Sequence, residues 1–229
     1  MNRYRGQFSV ITALFLFFFP VYSFADTITF SAKTMSGYTG KKKEYTLLEG
    51  GAEIKTSKIE IYADKVELSG DDFRYVTASG SVKGKNIEDD MEFSCDILRY
   101  DREQELVTLQ NNALITDNPN GVTAKAQMIQ YNQRTGIALM QITVELRQKD
   151  SVCTAAFAIY RKNEQILEMS GDPKIEKGSD VFRAREVVLN LDTEEIRLDG
   201  RVRGSVTDTR EESGARQTTQ ENPAEENAE

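Results

Sequence analysis

The chain contains no histidine and no tryptophan, and only two cysteines and four prolines among its 229 residues. The missing histidine removes the side chain most used as a general base near neutral pH, and the commonest metal ligand. The two cysteines, Cys95 and Cys153, are too few and too far apart for a zinc site. The sequence has no glycine-rich phosphate loop, no Gly-x-Ser-x-Gly elbow and no acidic calcium loop. Paired carboxylates occur at Asp71-Asp72, Asp89-Asp90 and Glu194-Glu195, each at or near a turn signal, where such residues cap and solubilise. Two-carboxylate glycoside hydrolysis needs a positioned pair, and nothing in the pattern positions one. No catalytic residue, no metal site and no cofactor is read from this composition.

Basic side chains are outnumbered, 29 against 37 acidic, which argues against nucleic acid as a partner. Two of the basic residues, Arg3 and Arg5, open an N-terminal segment with an uncharged apolar run from Val10 to Pro20 and a small-x-small site at Ser23-Phe24-Ala25. This is the pattern of an export signal. The run is short for a membrane-spanning helix, which needs ~20 residues, so cleavage after Ala25 is expected, with an uncleaved anchor as the alternative. Beyond Val206 the chain has no aromatic residue and no Leu, Ile or Phe, and is rich in Glu, Thr, Gln and Asn. Such a segment buries too little apolar surface to offset its ordering entropy. The expected organisation is therefore a signal peptide over 1–25, one folded domain over 26–206 and a disordered acidic tail over 207–229.

What the folded part does have is a repeat. Ile61, Ala63, Val66 and Leu68 share the spacing i, i+2, i+5, i+7 with Phe93, Cys95, Leu98 and Tyr100. The spacing returns at Ala124, Ala126, Ile129 and Tyr131, at Cys153, Ala155, Ala158 and Tyr160, and at Phe182, Ala184, Val187 and Leu189. A shorter form, Phe30, Ala32 and Met35, precedes them, and the second members lie 29 to 32 residues apart. Strand side chains alternate with period 2, so four such residues share a face only if one extra residue bulges mid-strand. A second marker keeps step: Gly51-Ala52, Gly80-Ser81-Val82, Asn112-Ala113-Leu114, Gly171 and Gly200-Arg201-Val202, with the glycine missing near Gln141-Ile142. Two strand-like segments per period over six periods define a β-repeat architecture.

The strands are expected over 26–32, 73–82, 91–100 and 196–206 among others, with 84–90 as a connection. Short turns at Asp101–Gln104, Asn132–Gly136, Arg161–Asn163 and Asp192–Glu194 follow the leading motif, as hairpin connections do. Asp117-Asn118-Pro119-Asn120-Gly121 is the strongest turn signal. Lys41, Lys42 and Lys43 read as a solvated turn or as a basic patch for an anionic headgroup. Cys95 and Cys153 belong to repeats two apart, about 10 Å or more at ~4.8 Å per strand, beyond disulfide reach. Two buried free thiols are expected. Tyr100, Tyr131 and Tyr160 recur at one repeat position, either as packed core with hydroxyls at the rim or as the wall of an apolar trough. The charged last segment, with Arg197, Arg201 and Arg203, reads as a guarded edge strand or as a place where a partner strand adds.

The motif Ile61-x-Ala63-Asp64-x-Val66-x-Leu68, the recurring Ala78-Ser79-Gly80-Ser81-Val82 pattern and the export signal resemble the OstA-like, or LptA, family of periplasmic lipopolysaccharide-transport proteins. The resemblance spans roughly residues 27–206. It implies an all-β, half-open elongated β-jellyroll of consecutive antiparallel strands, built here from the ~30-residue repeats. It also implies a non-enzymatic periplasmic carrier or bridge that moves lipopolysaccharide or a related glycolipid toward the outer membrane. Inner-membrane LptC-like and outer-membrane LptD-like components are the implied partners, with head-to-tail self-association through edge strands 27–35 and 196–206. The sequence departs from the family pattern in keeping the full Ala-Asp pair only at Ala63-Asp64, in lacking the fourth glycine and in its acidic tail.

On that reading acyl chains lie against Ile61, Val66, Leu68, Phe93, Leu98, Tyr100, Ile129, Tyr131, Phe157 and Phe182. Phe157 is the weakest member, because the period-2 register puts it on the opposite face. The alternative is a structural, protein-binding β-solenoid scaffold of the cell envelope with a solid core and no lipid ligand. A polysaccharide-acting parallel β-helix ranks last, since it wants about three strands per coil and the sequence offers two per period.

Overall fold

The computed structural model describes residues 27–40 and 43–207. The signal segment, Lys41, Lys42 and the tail from residue 208 lie outside the described residues. Apart from one 3₁₀ turn at Asp71–Phe73, the regular structure is strand. The strands are β1 (Thr29–Ser31), β2 (Thr34–Gly40), β3 (Lys43–Lys55), β4 (Ile59–Ser69), β5 (Tyr75–Asn86), β6 (Met91–Asp101), β7 (Leu106–Asp117) and β8 (Val122–Asn132). They continue as β9 (Ile137–Gln148), β10 (Ser151–Arg161), β11 (Ile166–Ser170), β12 (Lys174–Lys177), β13 (Asp180–Arg183), β14 (Glu186–Asn190), β15 (Ile196–Asp199) and β16 (Arg203–Ser205).

All sixteen belong to one sheet, and every ladder is antiparallel. The short strands pair off as broken long ones. β1 and β2 both pair with β3, and β11 and β12 both pair with β10. β13 with β14, and β15 with β16, continue the pattern. The result is six two-strand repeats, as the period predicts. The sheet does not close: β1 and β2 form one free edge, β15 and β16 the other. This is the expected half-open, elongated all-β architecture.

Every long ladder shifts register at its middle, for example between Ser79/Val82 of β5 and Ile97/Cys95 of β6. At each shift the odd-numbered long strand carries one residue more than its neighbour, the signature of a β-bulge. The extra length is taken up by two consecutive left-handed residues. These are Gly50-Gly51, Gly80-Ser81, Asn111-Asn112, Ile142-Thr143, Gly171-Asp172 and Gly200-Arg201, all at positive φ. The second sequence marker is therefore the corner of a bent strand, where glycine or asparagine is the favoured residue. At Gly80 a side chain would collide with the Asp64 carboxylate of the facing strand. At the missing glycine, Ile142 holds φ 65 regardless.

The bend folds the sheet into two leaves. Because the motif straddles the bulge, Ile61, Ala63, Val66 and Leu68 all point inward and are buried, as are their equivalents in the next two repeats. The small members of the motif sit beside the corner. Ala52 faces Ala63, Val82 faces Cys95 and Ala113 faces Ala126. Leaves converge at a corner, so only small side chains fit there. Farther out the inward row is larger: Leu48, Val66, Leu98, Leu109, Ile129 and Met140. Cys95 and Cys153 are both free and buried, and burial pushes their thiols up to about 11 and about 12.

Several expected boundaries move. The first strand begins at Thr29 and breaks at Ala32–Lys33, and Phe73 belongs to the 3₁₀ turn rather than to β5. β5 runs on to Asn86, through a stretch expected to be a connection. Gly84 there lies opposite Phe93, and a side chain on it would overlap the Phe93 ring and the Glu60 carbonyl. The glycine marks a close approach inside a strand, not a turn. The last segment splits at Gly200–Val202, where the sixth corner falls.

Candidate functional site

Two rows of turns border the folded sheet. One row holds residues 56–58, 87–90, 118–121, 149–150 and 178–179, and the other 70–74, 102–105, 133–136, 162–165 and 191–195. In a flat sheet the rows would stand a strand length apart, about 35 Å at ~3.3 Å per residue. Here they touch. Lys58 Nζ lies 2.7 Å from Glu105 Oε1. Tyr131 donates to Asp89 Oδ2 at 2.8 Å, and Asn86 Nδ2 donates to the same oxygen at 2.7 Å. Tyr160 donates to Asp117 Oδ2 at 2.9 Å, with Asn120 Nδ2 at 2.9 Å on that oxygen and Lys162 Nζ 3.8 Å from Asp117 Oδ1. Lys149 and Lys177 both reach Glu194.

These four links join residues 47, 42, 43 and 45 positions apart in sequence. Each spans about one and a half repeats, so the seam is zipped with a constant stagger along the sheet. Tyr100 keeps the same offset from Lys58 and is electrostatically coupled to it. The tyrosine ladder is thus core by its ring and seam by its hydroxyl. Burial first, then the facing carboxylate, holds the hydroxyls of Tyr131 and Tyr160 protonated well above the usual range. A hydrogen bond from Lys58 lowers the Glu105 carboxyl, and hydrogen bonds from Lys177 and Lys149 lower that of Glu194.

Between the leaves the interior is apolar and continuous. Of the ten residues expected to line a trough, Ile61, Val66, Leu98 and Ile129 are completely buried, and Leu68, Phe93, Tyr100 and Tyr131 nearly so. Phe182 is partly buried on the inner row near the last edge, between Ile175 and Gly204. Phe157 is half-buried on the outer face, beside Gln141, where the register places it. Below the seam, a cavity of about 20 Å³ is lined by residues including Asn86, Met91, Tyr131 and Gln133. That is room for about one water. The Gln133 Oε1 atom is buried without a hydrogen-bond partner.

Of the seam residues, the sequence reads Asp89, Asp117, Asn120 and Glu194 only as turn or connection residues and gives Lys58 no role. Asp117 is 1 % exposed, which nothing in its turn-rich neighbourhood signals. The available hint was its constant offset from a repeating tyrosine. The paired carboxylates separate into different tasks: Asp89 serves the seam while Asp90 pairs with Lys85. Asp71 and Asp72 form the 3₁₀ turn. Among the described residues no cluster of His, Cys, Asp and Glu has the makings of a metal site.

The folded, bulged repeat with two open edges agrees with a match to a family model. Residues 31–137 and 125–195 match "LptA/(LptD N-terminal domain) LPS transport protein". The chain belongs to this family. The structure of LptH, the LptA homologous periplasmic component of the conserved lipopolysaccharide transport device from Pseudomonas aeruginosa, is also similar. The two share 10% identity over 80% of this chain and 96% of that chain, with a TM-score of 0.25. Membership of the LptA/LptD N-terminal family rests on the family match and not on that likeness. No curated protein matches the chain.

Proposed function

We propose that the chain is a periplasmic carrier whose two leaves hold the acyl chains of lipopolysaccharide or a related glycolipid. The observation that supports it most is the interior: one apolar surface running from Leu48 and Ile54 to Leu189 and Leu191, in a chain of a lipopolysaccharide-transport family. Burying acyl surface at ~25 cal/mol per Å² supplies several kcal/mol without any directed polar contact. Binding is then broad in chain type and needs no catalytic group. Ile61, Val66, Leu68, Phe93, Leu98, Tyr100, Ile129, Tyr131 and Phe182 are the proposed lipid contacts. Phe157 drops out because it faces away.

The interior as it stands is filled by its own side chains, so loading requires the leaves to part at the seam. The links that must yield are Lys58–Glu105, Tyr131–Asp89, Tyr160–Asp117 and Glu194 with Lys149 and Lys177. The exposed ion pairs among them are weak, ~0–1 kcal/mol each, while the buried tyrosine–aspartate links cost more to break. Export through a signal cleaved after Ala25 delivers the carrier to the periplasm. LptC-like and LptD-like components, or a second copy, add to the free edges at 27–35 and 196–206.

One observation favours a second reading. A fully packed interior with a zipped seam is also what a protein-binding scaffold without lipid needs. Mass spectrometry of lipid released from the mature chain, purified gently from its own envelope, separates the two. Stoichiometric glycolipid is the expected result. A lipid-free protein that also refuses added lipopolysaccharide removes the carrier reading and leaves the scaffold.

A further inference from the structure

The last rungs of the sheet carry five exposed arginines: Arg183, Arg185, Arg197, Arg201 and Arg203. Arg183 stands directly opposite Arg203 in the ladder between β13 and β16. Like charges so placed repel each other. The Arg185 side chain runs across the corner, where a β-carbon on Gly200 would lie 3.0 Å from both its Cβ and its Nε. That brings the Arg185 guanidinium beside Gly200, the residue before Arg201 in the chain. Several surface cations elsewhere are matched: Lys55, Lys65, Lys85, Arg147 and Arg161 each reach a carboxylate. In the arginine cluster only Arg183 does so among the described residues, at 3.8 Å from Asp172. Glu186 and Asp199, the nearest carboxylates in sequence, face each other in the neighbouring rung.

The chain leaves the fold at this place. The Thr207 amide donates to Asp180 Oδ1 at 2.9 Å, which fixes the exit beside β13. The 22 residues that follow, 208–229, hold seven carboxylates against two arginines. Their first acids, Asp208, Glu211 and Glu212, come within five residues of Thr207.

We propose that segment 208–229 docks on the Arg183, Arg185, Arg201 and Arg203 cluster of its own chain. Single exposed ion pairs are weak, but tethering places the acids at an effective concentration in the millimolar range. Several pairs form at once, and the opposed Arg183 and Arg203 charges are compensated. The docked segment covers the C-terminal edge and competes with any acidic strand that would add there.

The full mature chain tests this. A nitroxide on Ala224→Cys labels the acidic segment alone, because Cys95 and Cys153 are buried. The expected result is loss of amide NMR signal confined to residues around 183–185 and 199–205, reversed at ~0.5 M salt. In the same full chain, Arg201→Gln/Arg203→Gln removes the loss while the other amides keep their positions. Loss spread evenly over the surface overturns the proposal, as does loss centred on another basic site such as Lys83. Equal loss in a mixture of labelled unenriched and unlabelled enriched chains also overturns it, since the occupant is then a second copy.

Discussion

Tyr131 and Asp89 sit at opposite ends of strands two apart, yet the hydroxyl donates to Asp89 Oδ2 at 2.8 Å. That single bond records the folding of the whole sheet. It forms only because every long strand bends at its middle, and it closes the side opposite the bend. The same relationship recurs between Tyr160 and Asp117 at 2.9 Å, more deeply buried.

Removing the Tyr160 hydroxyl takes one donor from the buried Asp117 carboxylate and leaves Asn120 and Lys162 as its partners. Tyr160→Phe is expected to destabilise the fold by about 1.5–3 kcal/mol, the contribution of one hydrogen bond to a charged group. Tyr131→Phe costs less, because its Asp89 partner is only partly buried while Asp117 is 1 % exposed, so water can replace the lost donor at Asp89. Urea unfolding of both variants checks the order. Equal and negligible losses would mean that the seam contributes nothing to stability.

Stability should fall on the alkaline side, beginning near pH 9. The Cys95 and Cys153 thiols rise from 9.0 to about 11 and about 12 in the folded chain. Between the unfolded and folded values the unfolded chain releases protons that the native chain keeps, so stability is full below pH 9 and declines as pH rises. Tyr131 and Tyr160 shift in the same direction and extend the decline above pH 10. Chemical denaturation from pH 8 upward should show a slope that becomes shallower between 9 and 11 in Cys95→Ala/Cys153→Ala.

If lipid enters between the leaves, fastening the seam must slow its entry. Bridging Lys58→Cys and Glu105→Cys with a short bismaleimide should reduce the uptake rate of a fluorescent acyl probe by about tenfold, the effect of raising the opening barrier by ~1.4 kcal/mol. The two substitutions without the bridge should leave uptake at least as fast as in the unaltered chain. Stopped-flow fluorescence reads both. Unchanged uptake in the bridged protein would place entry at the open ends instead.

Ile142 is the one β-branched residue at the first position of a corner pair, with φ 65 and 61 % exposure. Left-handed backbone is strained for such a residue by ~1–3 kcal/mol, and asparagine tolerates it better. Ile142→Asn is expected to raise the melting temperature by a few degrees, equivalent to about 1 kcal/mol. The reverse experiment, Gly80→Val, should lower it, because the added side chain meets the Asp64 carboxylate at a φ of 80. Calorimetry on the two variants settles the sign.

Much of this fold is legible along the chain because β-structure writes its face with period 2, and a bulge writes itself as a slip in that period. Ile61, Ala63, Val66 and Leu68 announced both the strand and its bend. Their recurrence in later repeats announced the stacking, and the isolation of Cys95 from Cys153 followed from it. Gly84 misled, because a glycine that makes room for a ring looks in sequence like a glycine that makes a turn. Phe157 has the size of a lining residue, but its register puts it outside, and the register decides.

The seam was not legible. Asp89, Asp117 and Asn120 look like ordinary turn residues, since turn chemistry depends only on near neighbours. Their partners lie about one and a half repeats away, at a distance set by the angle between leaves and the stagger of the sheet. Local alternation determined which side chains face inward and where each strand bends. Only the tertiary structure decided how far the leaves close, because that balance lies between interior packing and polar contacts across the seam. No period along the chain encodes it.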